Sequence, residues 1–348
     1  MSIENDFYID FSRKNNINDD TNNDENNDQN NDTLPWVEKY RPKTLDEIYG
    51  NDIIKDALKN YLEIKQLPHL LFYGQSGTGK TSIINAYAKE AYKNYYSLMV
   101  LQINASEERG IEIIRNKVKN FVTTKAIFKE QPFKLVILDE ADSMTLSAQS
   151  MLRRIIEDFT ENARFCLICN RIKNIDPAIQ SRCINFKFAS LDKKTMKDKL
   201  LLICELNKIT YTSDAIEFIN KISKGDMRKA INNLQSINMS YDIINIENVS
   251  EFIGYPTQNK IDNIYQITKK NKLQNAYKLI KNIIVLNQYS VLDLIIEFND
   301  YLYSKFMKSD ITQVKYTDII LKLKDIEKNI FLCPPDELCI SAFISCFY

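Results

Sequence analysis

The run Gly74-Gln75-Ser76-Gly77-Thr78-Gly79-Lys80-Thr81 fits the pattern G-x-x-x-x-G-K-[S/T] at every fixed position. Its chemistry follows from its residue types. The glycines let the backbone curl so that successive N–H groups face phosphate oxygens. A helix starting at the end of the loop adds its positive pole to that anion site. Lys80 is expected to reach the β- and γ-phosphates, the Thr81 hydroxyl to hold Mg²⁺, and Ser82 to close the nucleotide-binding run. Further along, an apolar strand in LVILDEAD ends in Asp139, a carboxylate placed at the sheet edge to hold Mg²⁺ through water. Glu140 follows and is suited to polarise the attacking water as general base. A Gly-rich loop alone, or an acid after a strand alone, is commonplace. Both together, each in its required strand context, read as a nucleoside-triphosphate hydrolase.

Other chemistries find little support. The chain has one histidine, His69, so histidine catalysis and zinc chemistry are not expected. Seven cysteines, an odd number spread over 348 residues, do not form a disulfide framework, which fits a reducing compartment. Cys166 and Cys169 make a C-x-x-C inside RFCLICN, but this segment reads as a strand. Side chains three apart on a strand face opposite ways, so these two are expected to be core residues. No run of 18 apolar residues suggests a membrane span, and the acidic N-terminus does not look like a signal peptide.

The elements that must position the phosphate site are legible from 34 to about 188. HLLFYG, MVLQIN, KLVILDE, RFCLICN and CINFKF read as strands, most of them continuously apolar, the mark of a parallel sheet covered on both faces. Helical patterns lie between them near 52–65, 80–93, 108–122 and 147–159. The expected fold class is α/β, a P-loop core with a five-stranded parallel sheet. After Ser190 the strands are expected to stop. Residues 189–250 read as a small helical lid with a turn at Gly225-Asp226, and 251–348 as a second, all-α domain broken near 254–256 and at Pro334-Pro335. Residues 1–33 are an Asn/Asp-rich stretch with little to bury and are expected to be a disordered tail. The formal net charge of zero hides an asymmetry: nine acids against Arg13 and Lys14 leave that tail at −7 and the rest at +7. A mildly basic body is compatible with nucleic-acid contact without arguing for it.

The order of the P-loop, the DEAD box at 139–142, Ser181-Arg182-Cys183 and Gly225-Asp226-Met227-Arg228 resembles the replication factor C small subunits, AAA+ ATPases of sliding-clamp loaders. Leu34-Pro35-Trp36-Val37-Glu38-Lys39-Tyr40-Arg41-Pro42 looks like that family's N-terminal box. The likeness continues through Asn104-Ala105-Ser106-Glu107-Glu108-Arg109-Gly110 and Met151-Leu152-Arg153-Arg154-Ile155-Ile156-Glu157, and weakens beyond about Gly254. FTENARFCLICN most resembles the subunit type called five in human and three in budding yeast. The resemblance implies ATP and Mg²⁺ as cofactors, with Val37 and Arg41 along the adenine and phosphates. It implies Asn170 as sensor 1, Arg228 on the lid as sensor 2, and Arg182 as an arginine finger aimed at a neighbour's ATP. One departure stands out: the family loop usually reads GPPGTGKT, and Gln75 and Ser76 replace its prolines, leaving two φ angles unfixed.

The resemblance also implies partners: other clamp-loader subunits in a hetero-pentamer, a sliding clamp, and primer-template DNA, with nuclear placement. Arg109, Arg115, Lys117 and Lys119 on the helix near 108–122 are candidates for DNA phosphates, and Arg115 and Lys119 share one face. Phe121 and Phe128 are candidates for clamp contact or core, and Gln149 for a link between DNA and the catalytic site. The last domain resembles the family's collar, with the stripe Ile280, Ile283, Ile284 and Leu286 as core or interface. Two alternatives remain: another DNA-associated AAA+ ATPase, or a nucleotide-binding subunit with little hydrolysis. Lys80, Asp139, Glu140, Asn170 and Arg228 are all present, which speaks against the second.

Overall fold

The computed structural model describes residues 34–107, 111–124, 133–330 and 336–348. Residues 34–41 belong to a unit of their own, with a one-turn helix Trp36–Lys39 after Pro35. Within it the Trp36 and Tyr40 rings meet edge to face, and Arg41 pairs with Glu38 at 3.0 Å.

The second unit starts at Pro42 and is built on five parallel strands: β1 Leu70–Gly74, β2 Val100–Asn104, β3 Lys134–Asp139, β4 Ala163–Cys169 and β5 Ile184–Phe188. They lie in the order β2-β3-β4-β1-β5. The apolar runs are continuous because both faces are covered. Leu135 and Ile137 of β3 enter one core with Phe72 and Ile168, while Val136 and Leu138 enter the opposite core with Leu71 and Leu167. Cys166 and Cys169 fall into these two different cores, as their odd spacing on a strand requires, and burial pushes the Cys169 thiol up to about 12.

Helices of two turns or more are numbered in chain order. Around the sheet lie α1 Asp52–Glu63, α2 Lys80–Tyr92, α3 Ile111–Thr123 and α4 Leu146–Asp158. These match the four expected helices apart from their ends. A further short helix, Tyr96–Met99, precedes β2. Parallel strands need crossovers, so every strand's C-terminal end points to the same edge, where ligands bind in such sheets. Asp139 and Gly74 end β3 and β1 there, and Asn170 follows β4 between them.

Beyond β5 come α5 Lys193–Leu206, α6 Ser213–Ser223, α7 Met227–Ser240 and α8 Ile246–Ile253. The strands do not stop at Ser190: Thr210–Tyr211 (β6) and Ile243–Ile244 (β7) pair in parallel. Two residues are too few to show a period of two, so this ladder leaves no sequence pattern. The turn between α6 and α7 is made by Lys224 and Gly225, both at positive φ, and Asp226 caps α7 by accepting from the Lys229 N–H at 3.0 Å.

The last helices, α9 Gln258–Lys270, α10 Leu273–Leu286, α11 Val291–Met307, α12 Gln313–Asn329 and α13 Asp336–Ser345, enclose a separate core around Ile264, Ile280, Leu294, Phe298 and Phe343. Ile280 and Ile284 are core, Ile283 packs at its margin, and Leu286 is exposed. A buried carboxylate joins this helical region to the preceding one. Glu297 on α11 is 1% exposed, yet takes hydrogen bonds from the Tyr255 hydroxyl at 2.9 Å and Gln258 at 3.0 Å, and pairs with Lys221 of α6 at 2.6 Å. Burial and the neighbouring Glu297 carboxylate push the Tyr255 phenol up, so it stays the donor.

Candidate functional site

The loop Gln75 to Gly79 links β1 to α2, so the first N–H groups of α2 open onto the ligand edge of the sheet. Gly77 and Gly79 sit at φ +69° and +90°. At Gly77 a Cβ would lie 1.8 Å from the Asp226 carboxylate, so only glycine lets the loop pass this close to the start of α7. Thr78 is buried and its hydroxyl donates to the Gln75 carbonyl at 2.9 Å, bracing the loop from inside.

Lys80 is 7% exposed, and its ammonium donates to the carbonyls of Gly74 and Gln75 at 2.9 and 2.7 Å and to Asn170 Oδ1 at 3.0 Å. Burial draws its pKa below the ordinary lysine value, Asp139 opposes this, and Arg228 works with burial. The contribution of Arg228 places the lid's arginine within electrostatic reach of Lys80. Arg228 itself is exposed in the first turn of α7. The Thr81 hydroxyl donates to Asp139 Oδ2 at 2.7 Å, and Ser82 is half-buried in the same turn. Thr81 and Asp139 therefore present a hydroxyl and a carboxylate side by side, an oxygen set suited to Mg²⁺ next to phosphate.

Glu140 is exposed and held in the left-handed region at φ +53°, which re-aims its side chain after the extended β3. Its N–H is tied to Asp139 Oδ1 at 2.9 Å. Two residues on, Asp142 accepts from the backbone N–H groups of Asn170 and Arg171 at 3.2 and 3.1 Å. This fastens the Asn170 loop to the DEAD box. Asn51 is another functional-site residue the sequence reading missed: its amide reaches the Thr78 carbonyl at 3.4 Å and accepts from the Ala189 N–H at 3.2 Å. Asn51 precedes α1 at positive φ, a conformation asparagine tolerates better than most, and this was the only signal available.

Arg182 lies away from these groups. Ile184 pairs with Leu70 and Phe188 with Gly74, so Arg182 sits beyond the N-terminal end of β5, while the P-loop leaves the C-terminal end of β1. Five strand residues separate the two levels, about 17 Å at ~3.3 Å each. Its guanidinium donates to the Ala178 carbonyl at 2.6 Å and pairs with Glu157 at 2.5 Å. A cavity of about 640 Å³ opens beside it, lined by Arg164, His69, Phe133 and Ile184 among others. His69 accepts from the Phe165 N–H at 3.2 Å, and burial, with Arg164 close by, draws its pKa down to about 4. The ring is a neutral structural acceptor.

The remaining candidates lie on other elements. Val37 lies on the helix Trp36–Lys39 and Arg41 pairs with Glu38, both in the N-terminal unit. Arg109 and Phe128 fall outside the described residues. Arg115 and Lys119 are one turn apart on α3, where Lys119 is exposed and Val118 and Val122 are buried. Phe121 packs at the margin of the core under the Lys134 ammonium. Gln149 is 2% exposed and donates to the carbonyls of Met144 and Asn174 while accepting from the Asp176 N–H. Its hydrogen-bonding capacity goes to pinning the loop after Asn170.

Residues 70–191 match the family described as ATPase family associated with various cellular activities (AAA), and residues 256–346 the replication factor C C-terminal domain. The chain is 48% identical over 232 residues to replication factor C subunit 5 of Homo sapiens, covering 66% of this chain and 68% of that one. It is 49% identical over 240 residues to a putative replication factor C small subunit of Acanthamoeba polyphaga mimivirus, covering 67% and 70%. It is 36% identical to a probable replication factor C subunit 5 of Dictyostelium discoideum over 90% of both chains. With the probable subunit 5 of Caenorhabditis elegans the match spans 65% of that protein's length. Among solved structures, the RuvB branch-migration motor of Thermotoga maritima shares the fold at a TM-score of 0.51 and 19% identity, over 70% of this chain and 85% of that one. A P-loop, an Asp139–Thr81 pair and a C-terminal helical core, together with these relatives, place the chain among the AAA ATPases as a member of the replication factor C small-subunit family.

Proposed function

We propose that this chain is the ATP-hydrolysing small subunit of a hetero-pentameric clamp loader that opens a sliding clamp and places it on primer-template DNA, in the nucleus. In this reading the P-loop and Lys80 hold the ATP phosphates, with Val37, Arg41 and Arg228 on the remaining parts of the nucleotide. Thr81 and Asp139 would hold Mg²⁺, which offsets charge on the phosphates when bound. Glu140 polarises the attacking water, and Asn170, bonded to Lys80, orients it. Arg109, Arg115 and Lys119 would contact DNA phosphates, setting position without reading sequence.

One observation carries the reading: a site with its own lysine and hydroxyl–carboxylate pair, the carboxylate Glu140 following it, and an arginine about 17 Å away at the other end of the strands. Arg182 is out of reach of its own ATP from there, the family resemblance assigns it to a neighbour's ATP, and on this reading full activity requires a multi-subunit assembly. An arginine supplied in trans is worth several orders of magnitude in related hydrolases.

The test is ATP turnover by the chain alone, then co-assembled with candidate partner subunits, then with primed DNA and clamp. Turnover that is low alone, rises strongly on assembly and rises again with DNA and clamp supports the reading. High turnover alone, indifferent to DNA and clamp, points to a different AAA machine. In mixed assemblies Arg182→Ala should silence the neighbour's site and spare its own.

A further inference from the structure

Where the P-loop departs from its family's usual sequence, the structure puts a hydrogen bond. Gln75 stands in place of a proline, and its side-chain Oε1 accepts from the Ser190 hydroxyl at 2.7 Å. Ser190 lies two residues past β5, where the sheet ends and the helices begin. It is pressed against the turn before α7, since a Cβ on Gly225 would come within 2.8 Å of the Ser190 Cβ. The backbone of Gln75 is engaged on the other side of the same residue. Its carbonyl accepts both the Lys80 ammonium at 2.7 Å and the Thr78 hydroxyl at 2.9 Å. One residue thus holds the phosphate-binding lysine with its main chain and the hinge to the lid with its side chain.

Two further contacts tie the loop to the same hinge. Asn51 bridges the Thr78 carbonyl and the Ala189 N–H, and the Met227 N–H donates to the Gly77 carbonyl at 3.3 Å. A proline at 75 could fix φ but would have no side-chain acceptor to offer Ser190.

We propose that Gln75 and Ser190 are a positioning pair for the ATPase site, a latch that sets the P-loop in its phosphate-ready shape and couples that shape to the lid angle. The inference rests on the ATP-binding reading of the P-loop. Loop rigidity that proline supplies covalently is here conditional on the lid: when the lid is in place the Gln75 peptide is held for Lys80, and when the lid swings away it is released. Nucleotide binding and lid closure then favour each other, as linkage requires. Both side chains are exposed, so the latch should be worth a few-fold in affinity rather than orders of magnitude.

The experiment is a double-mutant cycle on the full chain, titrated with a fluorescent non-hydrolysable ATP analogue, with hydrogen exchange followed at 189–191 and 225–228. Gln75→Ala and Ser190→Ala should each weaken binding about three- to tenfold, and the double variant should be no weaker than either single one. Nucleotide should protect 189–191 in the native chain and lose that effect in each variant, while Ser190→Thr, which keeps the hydroxyl, should restore both. Unchanged affinity in the singles, or effects that multiply in the double variant, would overturn the latch. Loss of analogue binding by the native chain would instead overturn the nucleotide site itself, and Lys80→Ala provides that reference.

Discussion

Asp142 gives the sharpest test of how the catalytic edge is held. It touches neither Lys80 nor the Thr81–Asp139 pair by hydrogen bond, but its Oδ2 carries the N–H groups of Asn170 and Arg171 at 3.2 and 3.1 Å. Hydrogen bonds to a charged acceptor contribute about 1.5–3 kcal/mol when buried. These two are at the long end of the normal range, and Asn170 and Arg171 are exposed, so water can replace part of each. About 1 kcal/mol apiece is a fair figure, ~2 kcal/mol in total. If that energy goes into placing the Asn170 amide, Asp142→Ala lowers the placed population, and with it kcat, by about 10- to 30-fold. Nucleotide affinity should shift less than threefold, because Lys80 keeps two carbonyl partners of its own. Asp142→Asn retains one acceptor oxygen and should recover most of the loss. The assay is steady-state ATPase of the assembled complex beside analogue binding and thermal unfolding. A kcat unchanged in Asp142→Ala, or Asn and Ala variants falling alike, would refute the argument.

Two further predictions concern stability. Glu297→Ala leaves the Lys221 ammonium, the Tyr255 hydroxyl and the Gln258 amide without their shared acceptor, and should cost about 3–5 kcal/mol in urea unfolding; a loss below 1 kcal/mol would mean that water already serves this node. His69 titrates near 4 when folded and near 6.5 when unfolded, so the unfolded chain takes up the proton first. Stability from this group is therefore complete above pH 6.5 and drains away as pH falls towards 4. Allowing for solvent at the cavity mouth, the loss should be about 1–2 kcal/mol between pH 7 and pH 5. His69→Gln should flatten that slope, and an unaltered pH profile would show that the ring is not the titrating group.

The parts of the site that sequence made legible are those in which a residue type has only one plausible use in its context. Gly77, Gly79, Lys80 and Thr81 after an apolar strand are of this kind, and the structure sets Thr81 against Asp139 and Lys80 against Asn170 across three different strands. The sheet was legible because double burial leaves continuous apolar runs, and the alternation of Cys166 and Cys169 between two cores followed from strand geometry alone. Asp142, Asn51 and Glu297 were not legible. Each acts on backbone or side-chain groups brought from 27 to 138 positions away, and nothing in its local neighbourhood announces the partner. The β6–β7 pair was missed for another reason, being too short to carry a period.

The same geometry joins two jobs that the sequence presents as separate motifs. Asn170 follows β4 at the C-terminal edge of the sheet and Arg182 precedes β5 at the opposite edge, yet a short irregular segment connects them, and it is pinned along its length. Asp142 holds its start. Gln149 holds its middle, donating to Asn174 and accepting from Asp176. Gln180 donates to the carbonyls of Ile172 and Ile175, and Asp176 caps the helix Pro177–Gln180, whose Ala178 carbonyl receives Arg182. Glu157, on the same helix α4 as Gln149, takes the other side of the guanidinium. A segment with this many fixed points resists local rearrangement, because releasing Gln149 strands buried polar groups and releasing Asp142 or Arg182 gives up charge-assisted contacts. A shift of Asn170 as its own phosphate leaves would therefore carry the base of Arg182 with it. On the proposed reading of Arg182 as a finger, hydrolysis at one site would then change the finger offered to the next.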